Sequence, residues 1–506
     1  MKRQTLFLGL LVALLASCGK TFTAPTKEGV ELTYHITDGT EKVCEVGSGS
    51  SQQAAVKDAS YRGPLTIPSS ADGYYIDAIG EGAFRGIAGM TSVNIPASVT
   101  TLGDYAFEAC DGLQEVVVHS RMETFGEGVF SSCKNLRKVK FRCPLTRVAD
   151  HLFDGCKQLE AFDIPEGVTF IGDYAFKDCA ALQGVKLPQG LDSIGIEAFM
   201  GCSNLQEVVL PEGLAAIGDG AFQNCSNLRA IHIPASVMSI GLAAFYNCPN
   251  LTSITVDPKN PVYDSRNGCN AIVEKKSDLL LLACSNTRIP PTVTDIADGA
   301  FAFCPGIERI SLPPGVTSIG SFAFAYCPDL RSVTFPSSLT AIGDRPFAGC
   351  PQLSSIDINS ENPVFDSHNQ CDAVVETLTN TLLYGCRNTT IPSVVTKIGP
   401  NAFSACPGLT TIRLHEGVKS LGERAFAECP NLKEVTLPST LTSIGISAFK
   451  DCKSLAQLKV RMRQPPSIDE SVFSGCNSFR LFVPKGKSED YLVARGWMDF
   501  QIIEDR

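Results

Sequence analysis

The chain has 506 residues, 44% of them hydrophobic, and its 53 acidic and 43 basic residues leave a net charge of -10. That composition supports a packed fold and gives no electrostatic case for a nucleic-acid partner, which requires clustered cations to displace phosphate counterions. The acidity reads as a solubility device.

In chain order, Lys2 and Arg3 precede an apolar stretch, Leu6 to Ala16, that is too short to cross a bilayer and has the layout of a secretory signal. Leu15-Ala16-Ser17-Cys18 resembles a bacterial lipobox, so residues 1–17 are predicted to be removed and Cys18 to become the lipidated first residue. Acyl chains contribute about 0.8 kcal/mol per buried methylene, so several chains hold a protein on a membrane without a spanning helix. Residues 18–75 contain alternating apolar positions, as in Val30-Glu31-Leu32-Thr33-Tyr34-His35-Ile36, and are predicted as a linker and β-rich N-terminal cap.

From residue 76 to 484 one motif recurs with a step of 23, as in Ile217-Gly218-x-x-Ala221-Phe222-x-x-Cys225-x-x-Leu228-x-x-Ile231-x-Ile233-Pro234. Its Gly slot repeats 15 times, from Gly80 to Asp469. A fixed short period marks a solenoid, because one coil cannot bury its apolar face until neighbours stack on it. Each coil is predicted to hold one half-buried strand at Leu-x-x-Val-x-Leu and one short helical or 3₁₀ turn at Ala-Phe-x-x-Cys. The Phe slot, Phe84 to Phe473, predicts a column of stacked rings. Burying each ring contributes roughly 1.5–3 kcal/mol before entropy.

Fourteen of the 21 cysteines occupy one slot of this motif, Cys110 to Cys476. Parallel side chains on stacked coils poorly suit a disulfide torsion near 90°, so these read as small buried hydrophobes with inert thiols. Ile87 fills the slot in the first coil, as a size requirement predicts. Two steps of 56 instead of 23 mark insertions at about 257–291 and 359–392. Both carry Asn-Pro-Val followed by Tyr263 or Phe365, then a strand-turn-strand pattern. Turns centred on Lys276-Ser277 and Leu378-Thr379 would set Cys269 opposite Cys284 and Cys371 opposite Cys386, so these two pairs are the candidate disulfides. Cys44 and Cys143 lie off every pattern. Residues 485–506, with Tyr491, Trp497 and Phe500, are predicted as a C-terminal cap.

The Ile-Gly-x-x-Ala-Phe-x-x-Cys-x-x-Leu-x-x-Val-x-Leu-Pro coil resembles the BspA-type leucine-rich repeat family over residues 79 to about 484. The resemblance implies a right-handed leucine-rich repeat superhelix on bacterial lipoproteins and cell-surface proteins. It also implies an adhesin-like role, binding host matrix or plasma proteins, although a fold does not dictate its partner.

On each strand the two residues flanking the central apolar position should face solvent, from Ser92/Asn94 through Lys138/Lys140 and Glu434/Thr436 to Gln457/Lys459. A local cation cluster, Lys134, Arg137, Lys138, Lys140, Arg142 and Arg147, is either a solvated patch or a contact for an anionic ligand. The six histidines are scattered, and no phosphate loop, calcium loop or Cys-x-x-Cys zinc spacing occurs. The expectation is therefore a non-enzymatic, cofactor-free binding protein. It would be lipid-anchored to the bacterial outer membrane, on the cell surface or the periplasmic face. A periplasmic or surface scaffold assembling with other envelope or glycan-handling proteins is the alternative.

Overall fold

The structure, a computed structural model, describes residues 20–49, 54–498 and 500–504. The signal segment and Cys18 lie outside the described residues. The chain forms two compact units, one ending at Leu251 together with Val256–Pro261, the other made of Thr252–Thr255 and Val262 onward.

In the N-terminal unit three hydrogen-bonded ladders run from coil to coil. The predicted strands form the first: Glu115–Val118 pairs in parallel with Lys138–Phe141, and Ala161–Asp163 with Gly184–Lys186, each residue opposite its counterpart one repeat later. A second ladder, not foreseen, uses two-residue strands just before the Gly slot, such as Phe170–Ile171, Ser193–Ile194 and Ala216–Ile217. The third replaces the expected helical turn. Ala106, Glu108 and Cys110 close bonds to carbonyls three residues back at 3.0–3.4 Å, as a 3₁₀ turn would. The alternate amides of Tyr105, Phe107 and Ala109 instead donate to Glu127, Val129 and Ser131 of the next coil at 2.7–2.9 Å. Every second bond is thus spent along the stack, and no helix propagates.

The motif slots follow from these ladders. A Cβ on Gly218 would lie 2.6 Å from the Gly195 carbonyl carbon, so this glycine permits backbone contact between coils rather than a special φ. The residue after it is often aspartate, and its carboxylate accepts the amide one repeat on, Asp173 from Ile196 and Asp219 from Leu242, both at 2.7 Å. Phe84 to Phe245 stack with centroids 5.1–6.0 Å apart. Each column thiol in this unit donates to the Phe carbonyl of the preceding coil at 3.1–3.2 Å, which explains a small donor in that slot. Burial pushes the Cys133 thiol up to about 12.

The N-terminal cap is joined to the stack by hydrogen bonds. Thr21–Pro25, Glu31–Asp38 and Val43–Val46 pair antiparallel, and Val43–Val46 then pairs in parallel with Tyr74–Ile79, which carries the second ladder onward. Gly63–Thr66 pairs with Met90–Asn94, so the cap also starts the first ladder. Cys44 is fully buried between Ile36 and Ile76, and Cys143 is buried after strand Lys138–Phe141.

In the C-terminal unit the same coils occur, with Phe301–Phe324–Phe347 and Phe403–Phe426–Phe449–Phe473 as separate runs of stacked rings. Each insertion is a three-stranded meander rather than a bare hairpin. Phe365–Asp366, Ala373–Glu376 and Thr381–Gly385 pair antiparallel, and Thr381–Gly385 then pairs in parallel with Lys397–Ile398. Tyr263–Asp264, Ile272–Glu274, Leu279–Leu282 and Asp295–Ile296 repeat that arrangement. The insertions therefore occupy the second ladder's track. The cap ends the unit with Gln501–Glu504 on Arg480–Val483, and with buried Trp497 donating to the Pro466 carbonyl at 2.8 Å.

Candidate functional site

The Leu-x-x-Val-x-Leu ladder presents the outward positions, because alternate residues point to opposite faces of a strand. In the N-terminal unit every pair from Glu115/Val117 to Ala230/His232 is exposed, with Val209 78% exposed. In the last coils of the C-terminal unit the face closes over itself. Thr436, expected to face solvent, is buried, flanked in the ladder by Arg413 and Lys459. Glu434 pairs with Lys459 at 3.1 Å, and Lys459 and Arg480 both lie 5.8 Å from the Phe482 ring. Long side chains drawn to the cap's aromatic ring crowd out the short threonine.

The six clustered cations do not form one patch. Lys134 pairs with Asp111 at 3.0 Å, Arg137 with Glu160 at 3.9 Å and Arg147 with Asp150 at 3.1 Å. Arg147 sits on the second ladder, its guanidinium 5.4 Å over Phe170. Lys138 and Lys140 on one strand and Arg142 just past its end remain exposed, with no carboxylate in ion-pair range among the described residues.

Cys269, Cys284, Cys371 and Cys386 are free thiols. The expected face-to-face register fails because a bulge shifts each meander by one residue. Ile272 opposes Leu282 and Ala373 opposes Gly385, which sets Cys284 and Cys386 against Asn270 and Asp372 rather than Cys269 and Cys371. The Cys386 thiol donates to the Asp372 carbonyl at 3.3 Å, and Asn270 Nδ2 donates to Cys284 at 3.2 Å. Beside the second meander, Phe347, Cys350, Tyr384, Cys386, Asn401 and Phe403 line a cavity of about 20 Å³, room for one water.

Spacing did not reveal that three histidines meet carboxylates: His35 with Glu45 at 3.0 Å, His151 with Asp154 at 3.1 Å and His368 with Asp366 at 2.9 Å. They lie in three different parts of the chain. His151 also stacks on Tyr174 at 4.6 Å, a packing role. Among the described residues no group of His, Cys, Asp and Glu is placed to hold a metal ion, and no helix is long and apolar enough to cross a membrane.

The profile of the BspA type leucine rich repeat region matches residues 65–183, 169–266, 282–380 and 376–488, more than half of the chain. The chain belongs to this family. The BspA-type repeat accounts for the 23-residue coils of both units, and the first match begins inside strand Gly63–Thr66, where the first ladder starts. Solved structures of similar fold include a leucine rich cell surface protein from Faecalibacterium prausnitzii, 24% identical, covering 87% of this chain and 94% of that one, TM-score 0.46. A leucine-rich repeat protein from Bacteroides ovatus is 22% identical over 94% of this chain and 98% of that one, TM-score 0.41. No functionally curated protein matches the chain.

Proposed function

We propose that this BspA-type repeat protein is a non-enzymatic binding protein of the bacterial cell envelope. It is exported by the segment 1–17, anchored through lipid on Cys18 to the outer membrane, and displayed on the cell surface. It engages a host or microbial protein along its exposed strand face. The observation that carries this reading is the division of labour within each coil. Inward slots are committed to packing and ladders, while outward pairs such as Glu207/Val209 and Ala230/His232 are exposed and differ from coil to coil. A broad surface of this kind gains affinity from summed contacts rather than from one pocket.

Protease treatment of intact cells tests the display. Cleavage of the protein on whole cells supports it, whereas protection until the outer membrane is opened overturns it and favours the alternative, a periplasmic scaffold for envelope or glycan-handling proteins. Cys18→Ala is expected to release the protein from the membrane fraction.

A further inference from the structure

Half of the cation cluster is neutralised by neighbouring carboxylates and half is not, and the unneutralised half is ordered. Lys138 and Lys140 lie two residues apart on strand Lys138–Phe141, both exposed, while Val139 between them is buried. The Arg142 amide donates to the Val118 carbonyl at 2.9 Å, so the pairing continues and Arg142 falls on the same outward face. Alternate residues of a strand are about 6.8 Å apart, so the three charges form an evenly spaced row along one rung.

The row is narrow. The preceding rung places Glu115 beside Lys138 and Val117 beside Lys140. The counterparts one repeat later are Ala161 and Asp163, and Glu160 holds Arg137. Neighbouring rungs of a parallel ladder lie about 4.8 Å away, so Glu115 flanks the positive strip on its paired side. A duplex nucleic acid or a sulfated polysaccharide is wider than one rung and densely charged. It would meet these acids and the net charge of -10. An extended peptide fits the strip, because its own alternate side chains repeat at the same spacing as the cations.

We infer that Lys138, Lys140 and Arg142 form a docking row for an extended acidic segment of a protein partner, with carboxylates at alternate positions. The inference rests on the strand face acting as a binding surface. Val117, 46% exposed beside Lys140, adds apolar surface along the edge of the row for the stems of the partner's carboxylate side chains.

Fluorescence anisotropy with a labelled peptide bearing Glu at every second position, on the full mature chain at low salt, tests the row. Binding is expected to weaken at least tenfold in the triple variant K138Q/K140Q/R142Q and less than twofold in K134Q/R137Q/R147Q. A peptide of the same composition with its glutamates contiguous is expected to bind less tightly. All six positions carry exposed side chains, and matching melting curves confirm that both variants fold. Equal losses in the two variants overturn the row, as does tighter binding of a heparin fragment or an oligonucleotide than of the alternating peptide. Because the assay uses purified protein, its failure leaves surface display standing, and protease protection on cells leaves the row standing.

Discussion

The N-terminal unit continues its coils without insertion from Gly80 to Leu251, whereas the chain beyond carries two 33-residue insertions, the first beginning in the N-terminal unit's Val256–Pro261, and resumes the same coil after each. The difference teaches which features the repeat requires. The phenylalanine stack is dispensable at a junction: Phe347 and Phe403 belong to separate runs, and a Cβ on Gly385 would meet the Phe403 ring at 2.1 Å, so glycine backbone takes the place of a stacked ring. The hydrogen-bond ladders are not dispensable. Thr381–Gly385 supplies the strand on which Lys397–Ile398 pairs, and the Gly385 amide donates to Ala402 at 2.9 Å.

Ring removal tests this ranking most severely. Phe199 is stacked between Phe176 and Phe222 at 5.1 and 5.3 Å, so Phe199→Ala is expected to cost about 3–5 kcal/mol. Among the described residues Phe403 has one ring neighbour, Phe426 at 5.0 Å, and it already borders a cavity, so Phe403→Ala should fall at or below the lower end of that range, about 3 kcal/mol. Urea midpoints of the two variants decide it. Equal losses would mean that the stack is continuous in energy across the insertion.

The Asn-Pro elements come next. Asn260 is fully buried and its Nδ2 donates to the carbonyls of Pro234 and Val237 at 2.8 and 2.9 Å, all within the N-terminal unit. In the C-terminal unit Asn362 does the same for Pro336 and Leu339 at 3.0 and 2.8 Å. Each asparagine satisfies carbonyls of the coil before it. Asn→Ala at either site removes a donor from two carbonyls, of which Pro234 and Pro336 keep the Val237 and Leu339 amides, and is expected to cost about 1–3 kcal/mol, read as a shift in melting temperature. The twin geometry predicts equal costs, and a clear difference would separate the units.

Much of this was legible in the sequence and some was not, for physical reasons. The period, the Phe column and the buried Cys slot were readable because burial imposes residue type at a fixed spacing. The second ladder escaped because two-residue strands such as Ser193–Ile194 are too short to show alternation. The turn ladder escaped because its bonds go to a residue one repeat away, which local propensity cannot register. The expected cysteine pairs failed on a one-residue bulge, since a single slip moves every side chain across the strand. Of the six clustered cations, two were claimed by acids that stacking brings close, such as Asp111 one coil before Lys134, and Arg147 by Asp150 three residues on. The signal for that was present: Asp111 and Lys134 are 23 residues apart, the period itself.

Alkaline titration then separates burial from hydrogen bonding as the source of thiol inertness. Cys133 donates to a Phe carbonyl, whereas Cys406 follows the second insertion and has Asn380 where that Phe would stand, 26 residues back. Burial nonetheless pushes both up to about 12 from 9.0. A raised folded value means that stability is full below the unfolded value and is lost as pH rises from about 9 toward 12. The loss is about 1.4 kcal/mol per pH unit for each thiol. Cys133→Ala and Cys406→Ala should therefore remove the same slope from stability measured in reductant between pH 8.5 and 11. A smaller effect at Cys406 would assign the inertness to the hydrogen bond.

The smallest expected difference concerns exposed acids in the two units. In the C-terminal unit the Ser439 hydroxyl and amide donate to Glu416 at 2.7 and 2.8 Å and Arg461 at 3.1 Å, and the Ser439 hydroxyl is the main cause holding the Glu416 carboxyl below its usual 4.5. In the N-terminal unit Lys186 does the same for Glu166 at 3.0 Å, but both partners are more than half exposed. A lowered folded value contributes stability above the unfolded value, and that stability is lost as pH falls below 4.5 through the folded value. Glu416→Gln should thus flatten the acid limb of the stability curve below pH 4.5 by a few tenths of a kcal/mol, because solvent screens a half-exposed pair. Glu166→Gln should leave that limb unchanged within error, since solvent screens a pair whose partners are both more than half exposed. An equal flattening by both would show that bridges between coils act alike whether a backbone amide joins in at close range or not.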